Sequence, residues 1–599
     1  MLTQLGLICR TLPYLRWEQF VYRPLRLLQY RSYRSLPFLT KRWTRLDQPV
    51  SDLPTKTLFQ FRQVFETQFS HWHKPAQEAE IQLDQLKRGE FRFLNQAKEI
   101  AKPDWIVRYV SHLWNYQFHY QDYVVWLMRA WAKNKDTEAR QRAEELIESW
   151  MATARIGVSD GWDAYPLSLR TVNWIYAYAL AAEREADLLF MARWRTSIFQ
   201  QLDFLSRHLE KHLLANHLFK NIKALVIGGL FFAHTERGQQ WLAVGERSLA
   251  SELAEQVLAD GGHYERAPMY HAQTLGDALE CYALLKAFGR TSATESMRDQ
   301  LVKMARHLAA LSYPDSSLAL FNDSANAFET RPQPLLETVN RVCGEKVSSL
   351  IANFPDSGYY VWQSEDEQEK MVIDAGEPSA TYNTAHAHCD VLSYELWVNG
   401  APFVVDSGVH GYGGDEFRAY CRSTRAHNTV MVDDVEQSEV WGTFRMARRA
   451  QVLRAEAAED AGGWRFEGEV QGYSANGLRH SRSVRRFAGG EWEVQDQVSL
   501  RRVKAAGHVA KSFIHLHTAV SVTRAGNGFL CETPAGKIMI EPFGDVTLEL
   551  VAGVPPPQAQ GWWFPEFGVA LSSSVIVLSC VLREGNNPQV IGYRIKPCQ

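Results

Sequence analysis

The stretch Ser393-Tyr394-Glu395-Leu396-Trp397-Val398-Asn399-Gly400 sets Tyr394, Leu396 and Val398 in alternation with Ser393, Glu395 and Trp397. Successive side chains of an extended chain point to opposite faces, so this alternation predicts a β-strand. Asn-Gly suits the two positive-φ positions of a tight hairpin turn, so the chain is expected to reverse at Asn399-Gly400. The same pattern recurs downstream. Trp492, Val494, Val498 and Leu500 share one face of a strand, and turn signals stand at Gly462-Gly463, Asn476-Gly477, Gly489-Gly490 and Asn527-Gly528. Residues 356–599 therefore read as an antiparallel β-sandwich.

Before about residue 355 the period is helical. Apolar residues recur at helical spacing over Trp105 to Trp131, Leu167 to Ala182, Phe199 to Leu214 and Leu275 to Phe288, with Gly and Pro mainly between these segments. Many helices with short links point to helical hairpins, stacked in a solenoid or closed into a toroid, over residues 51–355. Residues 1–50 form a separate basic helical arm, with nine Lys/Arg from Arg10 to Arg45 against Glu18 and Asp47. Such an arm suits a membrane surface or an acidic polymer, or packs on the main body with a solvated face. Helices first and strands second mean separate domains, an α domain and then a β domain.

Bulk properties narrow the function. The 599-residue chain has a formal net charge of -3, so no global field points to nucleic acid. Its 19 Trp suit a glycan groove, where flat rings pack on sugars, but equally suit large cores. The run Ala224 to Ala233 is too short to span a bilayer, so no transmembrane segment is expected. The stretch Leu5 to Cys9 is too short for a signal-peptide core, which makes cytoplasmic residence the expectation and the periplasm its alternative. None of the eight cysteines forms a CxxC pair, so neither a zinc ribbon nor a disulfide framework is indicated.

Chemistry concentrates in a few segments. In Tyr382-Asn-Thr-Ala-His386-Ala-His388-Cys-Asp390, an extended strand would point His386 and His388 the same way, for metal ligation or for one ligand beside one acid/base. Val404-Val405-Asp406-Ser407-Gly408 reads as a strand delivering a carboxylate to its end, and His427 stands just before another strand. Two His and one Asp make a zinc set with an open fourth position, catalytic or structural. In the helical half, Asn216-His217 opens an apolar helix, where Asn216 could simply be a cap. The glycines of Asp260-Gly-Gly-His263-Tyr264-Glu265-Arg266-Ala-Pro268-Met-Tyr270-His271 make that segment a loop. Arg170, Asn173 and Trp174 share a helical face, suited to a sugar acid or to interhelical packing.

With Leu113-Trp114-Asn-Tyr116-Gln-Phe-His119-Tyr120-Gln-Asp122-Tyr123 ahead of them, these segments resemble, in order, the heparinase II/III-like polysaccharide lyases. The resemblance implies an incomplete α/α toroid followed by an antiparallel β-sandwich, with the active site between them. It implies β-elimination at a 4-linked uronic acid of an acidic polysaccharide, the expected partner. Asn216, alone or together with His217, would neutralise the substrate carboxylate; Tyr270 and His386 would be the acid/base pair. Tyr120, Tyr165, Arg170, Asn173, Trp174, Lys220, His263, Glu265 and Arg266 would bind substrate. His388, Asp406 and His427 would hold a divalent metal, zinc by ligand type, in a structural rather than a catalytic role. Lys220 departs from the family pattern; it would either depress the pKa of His217, one turn away, or pair with substrate. The competing readings are a metal-assisted glycan hydrolase and a non-catalytic glycan-binding protein of exopolysaccharide assembly.

Overall fold

The computed structural model describes residues 2–46, 49–69, 76–182, 188–326, 331–347, 352–472, 477–500, 507–583 and 588–598. The expected turn residue Asn476 lies outside them.

From Asp122 to Ala310 helices follow one another in two alternating rows. Ala164–Ala181, Ala215–Phe231 and Pro268–Ala287 are buried almost all round, as their apolar composition demands. Thr137–Thr153, Leu188–Arg207, Glu236–Gln256 and Thr291–Ala310 each keep a polar outer face. An inner and an outer row with short links is the toroid arrangement, and it closes around one large apolar core. Glycine sets the spacing at one crossing: a Cβ on Gly229 would come within 2.6 Å of the Leu242 nitrogen.

Several local expectations change. The Trp105 to Trp131 segment is two helices, His112–Tyr120 and Asp122–Asn134, broken at Gln121 with φ of 53°. Gln121 is held there by the Trp174 indole, whose Nε1 donates to its Oε1 at 2.7 Å. The Phe199 to Leu214 segment leaves the helix at Arg207. The helical half also carries a small antiparallel hairpin, Glu90–Phe93 with Gln96–Glu99.

The β region begins at Ala352 and, beside two short two-stranded pairs, builds three larger antiparallel sheets among the described residues. One has five strands, Ala352–Phe354, Tyr359–Gln363, Lys370–Asp374, Ser393–Val398 and Ala401–Val404, in sequence order. An eight-stranded sheet runs from Gln451–Asp460 to Ser521–Ala525, and a four-stranded sheet includes Val430–Val432 and Val509–His515. All three contribute to a second core. The expected reversal occurs at Asn399 and Gly400, with φ of 53° and 74° and Val398 paired to Ala401.

Ser393–Val398 differs from a half-exposed strand in one respect: all six residues are buried. Tyr394, Leu396 and Val398 enter the β core. The opposite face meets the helical region, where Trp397 stacks on Tyr313 at 4.7 Å and 11°. Beside it Glu395 accepts from the Tyr313 hydroxyl at 2.7 Å and from Leu320 N at 3.1 Å. The strand is thus the seam between the domains. Trp397→Ala should cost about 3–5 kcal/mol of stability, read by chemical denaturation; a loss under about 1 kcal/mol would contradict the seam assignment.

Candidate active site at the domain seam

Pro268 sits at the first position of its helix, where its missing N–H costs nothing, so the expected loop ends there and Tyr270 lies in the first helical turn. The phenol reaches across the seam. Its oxygen is 2.7 Å from the Tyr412 hydroxyl, and its ring lies 3.9 Å from that of His386. Burial, and then the neighbouring Tyr412 and Asp323, hold Tyr270 well above the ordinary tyrosine pKa, so it keeps its proton.

His386 and His388 lie in an extended loop, not the expected strand. Both rings converge on one carboxylate. His386 Nδ1 meets Asp323 Oδ2 at 2.9 Å and His388 Nε2 meets Asp323 Oδ1 at 2.8 Å. Arg418 grips the same carboxylate in a fork, with Nη2 donating to Oδ2 at 2.9 Å and Nη1 to Oδ1. Burial works to raise the Asp323 pKa, but Arg418 and the two imidazoles hold it well below the carboxylate range. With ionised Asp323 accepting at Nδ1, His386 leaves its Nε2 lone pair free.

Asn216 is the second residue of its helix and not its cap; Leu214 occupies the cap position. Leu214 and Ala215 take φ of 63° and 50°, a left-handed conformation that L residues adopt only when held. Leu214 N donates to the Glu210 carbonyl at 3.0 Å and the Ala215 carbonyl accepts from Gln256 at 3.4 Å, while Asn221 ties down Glu210 itself, accepting from its N at 2.8 Å and donating to its carboxylate at 3.1 Å. Among the described residues the Asn216 side chain has no hydrogen-bond partner. His217 pairs through Nδ1 with Glu210 Oε1 at 3.2 Å, and its ring lies 4.4 Å from Tyr165, which in turn faces Tyr120. Burial raises the pKa of Glu265, against the opposing influence of His386 and then His217.

Other expected substrate contacts are committed elsewhere. Arg170 is fully buried, donating to Gln201 Oε1 at 2.9 Å and lying 3.8 Å from the Trp150 ring. Trp174 is equally buried, and Asn173 donates to the Tyr120 carbonyl at 2.9 Å, so this face is interhelical packing. Lys220 pairs with Asp277 at 2.7 Å in a buried cluster with Lys223 and Glu280. His263 bonds Gln256 at 3.0 Å inside the core. Arg266 clamps the domains together through the carbonyls of Ser357 and Ser379 at 3.0 and 2.9 Å. Glu265 is buried but faces the site, accepting from Asn383 at 3.3 Å.

A ligand set lies behind His386. One ligand atom each from His388, Asp390 and His427 falls within 4.8 Å of the others. Among the described residues His388 Nδ1 is buried without a hydrogen-bond partner, while His388 Nε2 is held by Asp323 and His427 Nδ1 by Asp406. Ligand histidines are oriented by carboxylates in this way. Asp406, expected as a ligand, is the carboxylate behind His427, 2.8 Å from its Nδ1. Asp390 takes the third position because the loop from His386 turns it towards both rings. The donor set fits a divalent cation.

Two matches to family models cover most of the chain: "Heparinase II/III N-terminus" over residues 62–341 and "Heparinase II/III-like, C-terminal" over 347–589. The chain belongs to the heparinase II/III family. Within it the chain is similar to the heparin-sulfate lyase of Pedobacter heparinus, 26% identical over 267 residues, which is 41% of this chain and 40% of that protein. The match thus spans less than half the length of that curated relative. The fold matches a crystal structure of a mutant heparan sulfate lyase from Pedobacter heparinus, with TM-score 0.62 and 19% identity over 90% of this chain and 87% of that one. It also matches a crystal structure of heparinase III, with TM-score 0.69 and 16% identity over 95% and 91%.

Within this family frame, sequence reading missed Asp323, Arg418 and Tyr412. Gly411-Tyr412-Gly413-Gly414 and Asn322-Asp323-Ser324 do carry a signal, a polar or aromatic residue among turn formers, but nothing local says what they face. Arg170→Ala should cost about 2–4 kcal/mol through lost packing and unmet acceptors. Asn216→Ala, which strands no partner, should stay within about 1 kcal/mol. Urea denaturation checks both; the reverse order would exchange their structural and cleft assignments.

Proposed function

We propose that this protein is a polysaccharide lyase that cleaves a 4-linked, uronic-acid-containing acidic polysaccharide by β-elimination. The pairing of Tyr270 with His386 across the seam carries this reading. Elimination needs a base for the weakly acidic C5 proton, a donor for the leaving glycosidic oxygen, and neutralisation of the charge that builds on the uronate. His386 presents an Nε2 lone pair backed by Asp323, which suits the base. Tyr270 is kept protonated, which suits the donor. The unpaired Asn216 amide, beside His217, suits the carboxylate.

The cations expected in the cleft favour a substrate of low sulfation. Arg170, Lys220 and Arg266 all have protein partners, so none is spare for a sulfate group. The heparin-sulfate lyase relatives support the wider class of uronate polymers.

His388, Asp390 and His427 would hold a divalent cation, zinc by ligand type. When bound, it supplies a fixed positive charge that orders the cleft wall; elimination consumes no water for it to activate.

On uronic-acid polymers, turnover should release an unsaturated product that absorbs ultraviolet light. Tyr270→Phe should lower kcat by about 10²–10⁴ without loss of fold. Saturated products, or full turnover by Tyr270→Phe, would sink the proposal. Metal analysis should find one divalent ion per chain, and chelation should lower the thermal midpoint; His427→Ala should abolish both the metal and the chelator response.

A further inference from the structure

We propose that the N-terminal arm docks on an anionic lipid surface. The helix Trp17–Ser35 lies on the protein with its polar side inward. Arg26 donates to the Leu209 carbonyl at 3.1 Å, the Tyr30 hydroxyl to the Trp162 carbonyl at 2.9 Å, and the Tyr33 hydroxyl meets His208 Nε2 at 2.8 Å. Positions 26, 30 and 33 share one helical face.

The opposite face carries large apolar side chains that stay exposed. Trp17 is 64% exposed, Leu27 63% and Leu28 62%, with Phe20 and Val21 between them and Phe38 following at 60%. A helix normally turns its apolar stripe to the core, so this one is inverted. The inward contacts fix its rotation. The preceding segment is anchored too, by Arg10 on Glu439 at 2.6 Å and Arg16 on Glu255 at 2.6 Å, which straps the arm to both domains. The ridge therefore cannot roll inward and is presented as a fixed surface.

Charge selects the occupant. Between residues 4 and 46 Arg31, Arg34, Lys41, Arg42 and Arg45 are exposed, while the one acidic residue, Glu18, is half-buried. Trp, Phe and Leu flanked by Arg and Lys, with no exposed acid, match the boundary between lipid head groups and acyl chains. A second copy is a poorer occupant, because a symmetric pairing would set these Arg and Lys against themselves. Among the described residues no helix is long and apolar enough to cross a membrane, so the arm would lie on the surface.

The test uses the full chain and phosphatidylcholine vesicles with and without phosphatidylglycerol. Co-sedimentation should rise about tenfold with the anionic lipid and fall with salt. The triple variant Trp17→Ser, Leu27→Ser, Leu28→Ser should lose about tenfold in vesicle binding at an unchanged thermal midpoint. Arg31→Gln with Arg34→Gln should lose the preference for anionic vesicles. Equal binding by the triple variant, no binding by the parent, or a parent dimer that the triple variant splits would each overturn the proposal.

Discussion

The carboxylate of Asp323 fixes the geometry of the site. It comes from the segment after the helix Thr291–Ala310, and all its side-chain partners come from the β region: His386, His388 and the fork of Arg418. A buried charge without partners would cost several kcal/mol, so the two regions are locked wherever this charge is satisfied. The backbone follows the same seam. Asp323 N donates to the His386 carbonyl at 3.0 Å, and His388 N to Asn322 Oδ1 at 3.0 Å. Arg418 extends the frame by lying 5.2 Å from the Tyr412 ring, and Tyr412 in turn holds Tyr270. One carboxylate therefore positions His386 directly and Tyr270 through two intermediates.

Burial of the five-stranded sheet on both faces gives this seam its electrostatic character. Asp374, Asp390, Glu395 and Asp406 all lie on the side towards the helices and are buried. Burial pushes Asp390 up to about 6 and Glu395 up to about 8, and drives Asp374 well above its usual range. At His427 burial opposes the positive charge, yet Asp406 raises its pKa. Raised in this way, Asp374 and Glu395 keep their protons near neutral pH, which lets the seam bury these carboxyl groups without a matching number of cations.

The order of domains was legible in the sequence because periodicity is local: period 3.6 before residue 355 and period two after it both survive in the structure. The hairpin at Asn399-Gly400 was legible for the same reason. Helix breaks were not, because the break at Gln121 depends on Trp174, far along the chain. Motifs single out Tyr270, Asn216 and His386, and the structure brings the Tyr270 and His386 rings together, whereas it commits Arg170 and Lys220 to protein partners. An isolated cation in a sequence looks available to substrate; only the fold shows that Lys220 meets Asp277 and that Arg170 stands over Trp150. Asp323 escaped because its role lies wholly in residues more than sixty positions away.

The surroundings of Tyr270 and His386 argue for unequal roles. A phenol that both takes and returns the proton must pass through phenolate. Here that anion would form in a buried site already facing Asp323 and Glu265, which disfavours it. His386 stands differently: its Nδ1 is held by ionised Asp323 at 2.9 Å, which turns Nε2 away from that carboxylate. The same carboxylate thus obstructs Tyr270 as a base and orients His386. For the proposed elimination, proton uptake by His386 and donation by Tyr270 is therefore the division that never asks the buried phenol to become an anion.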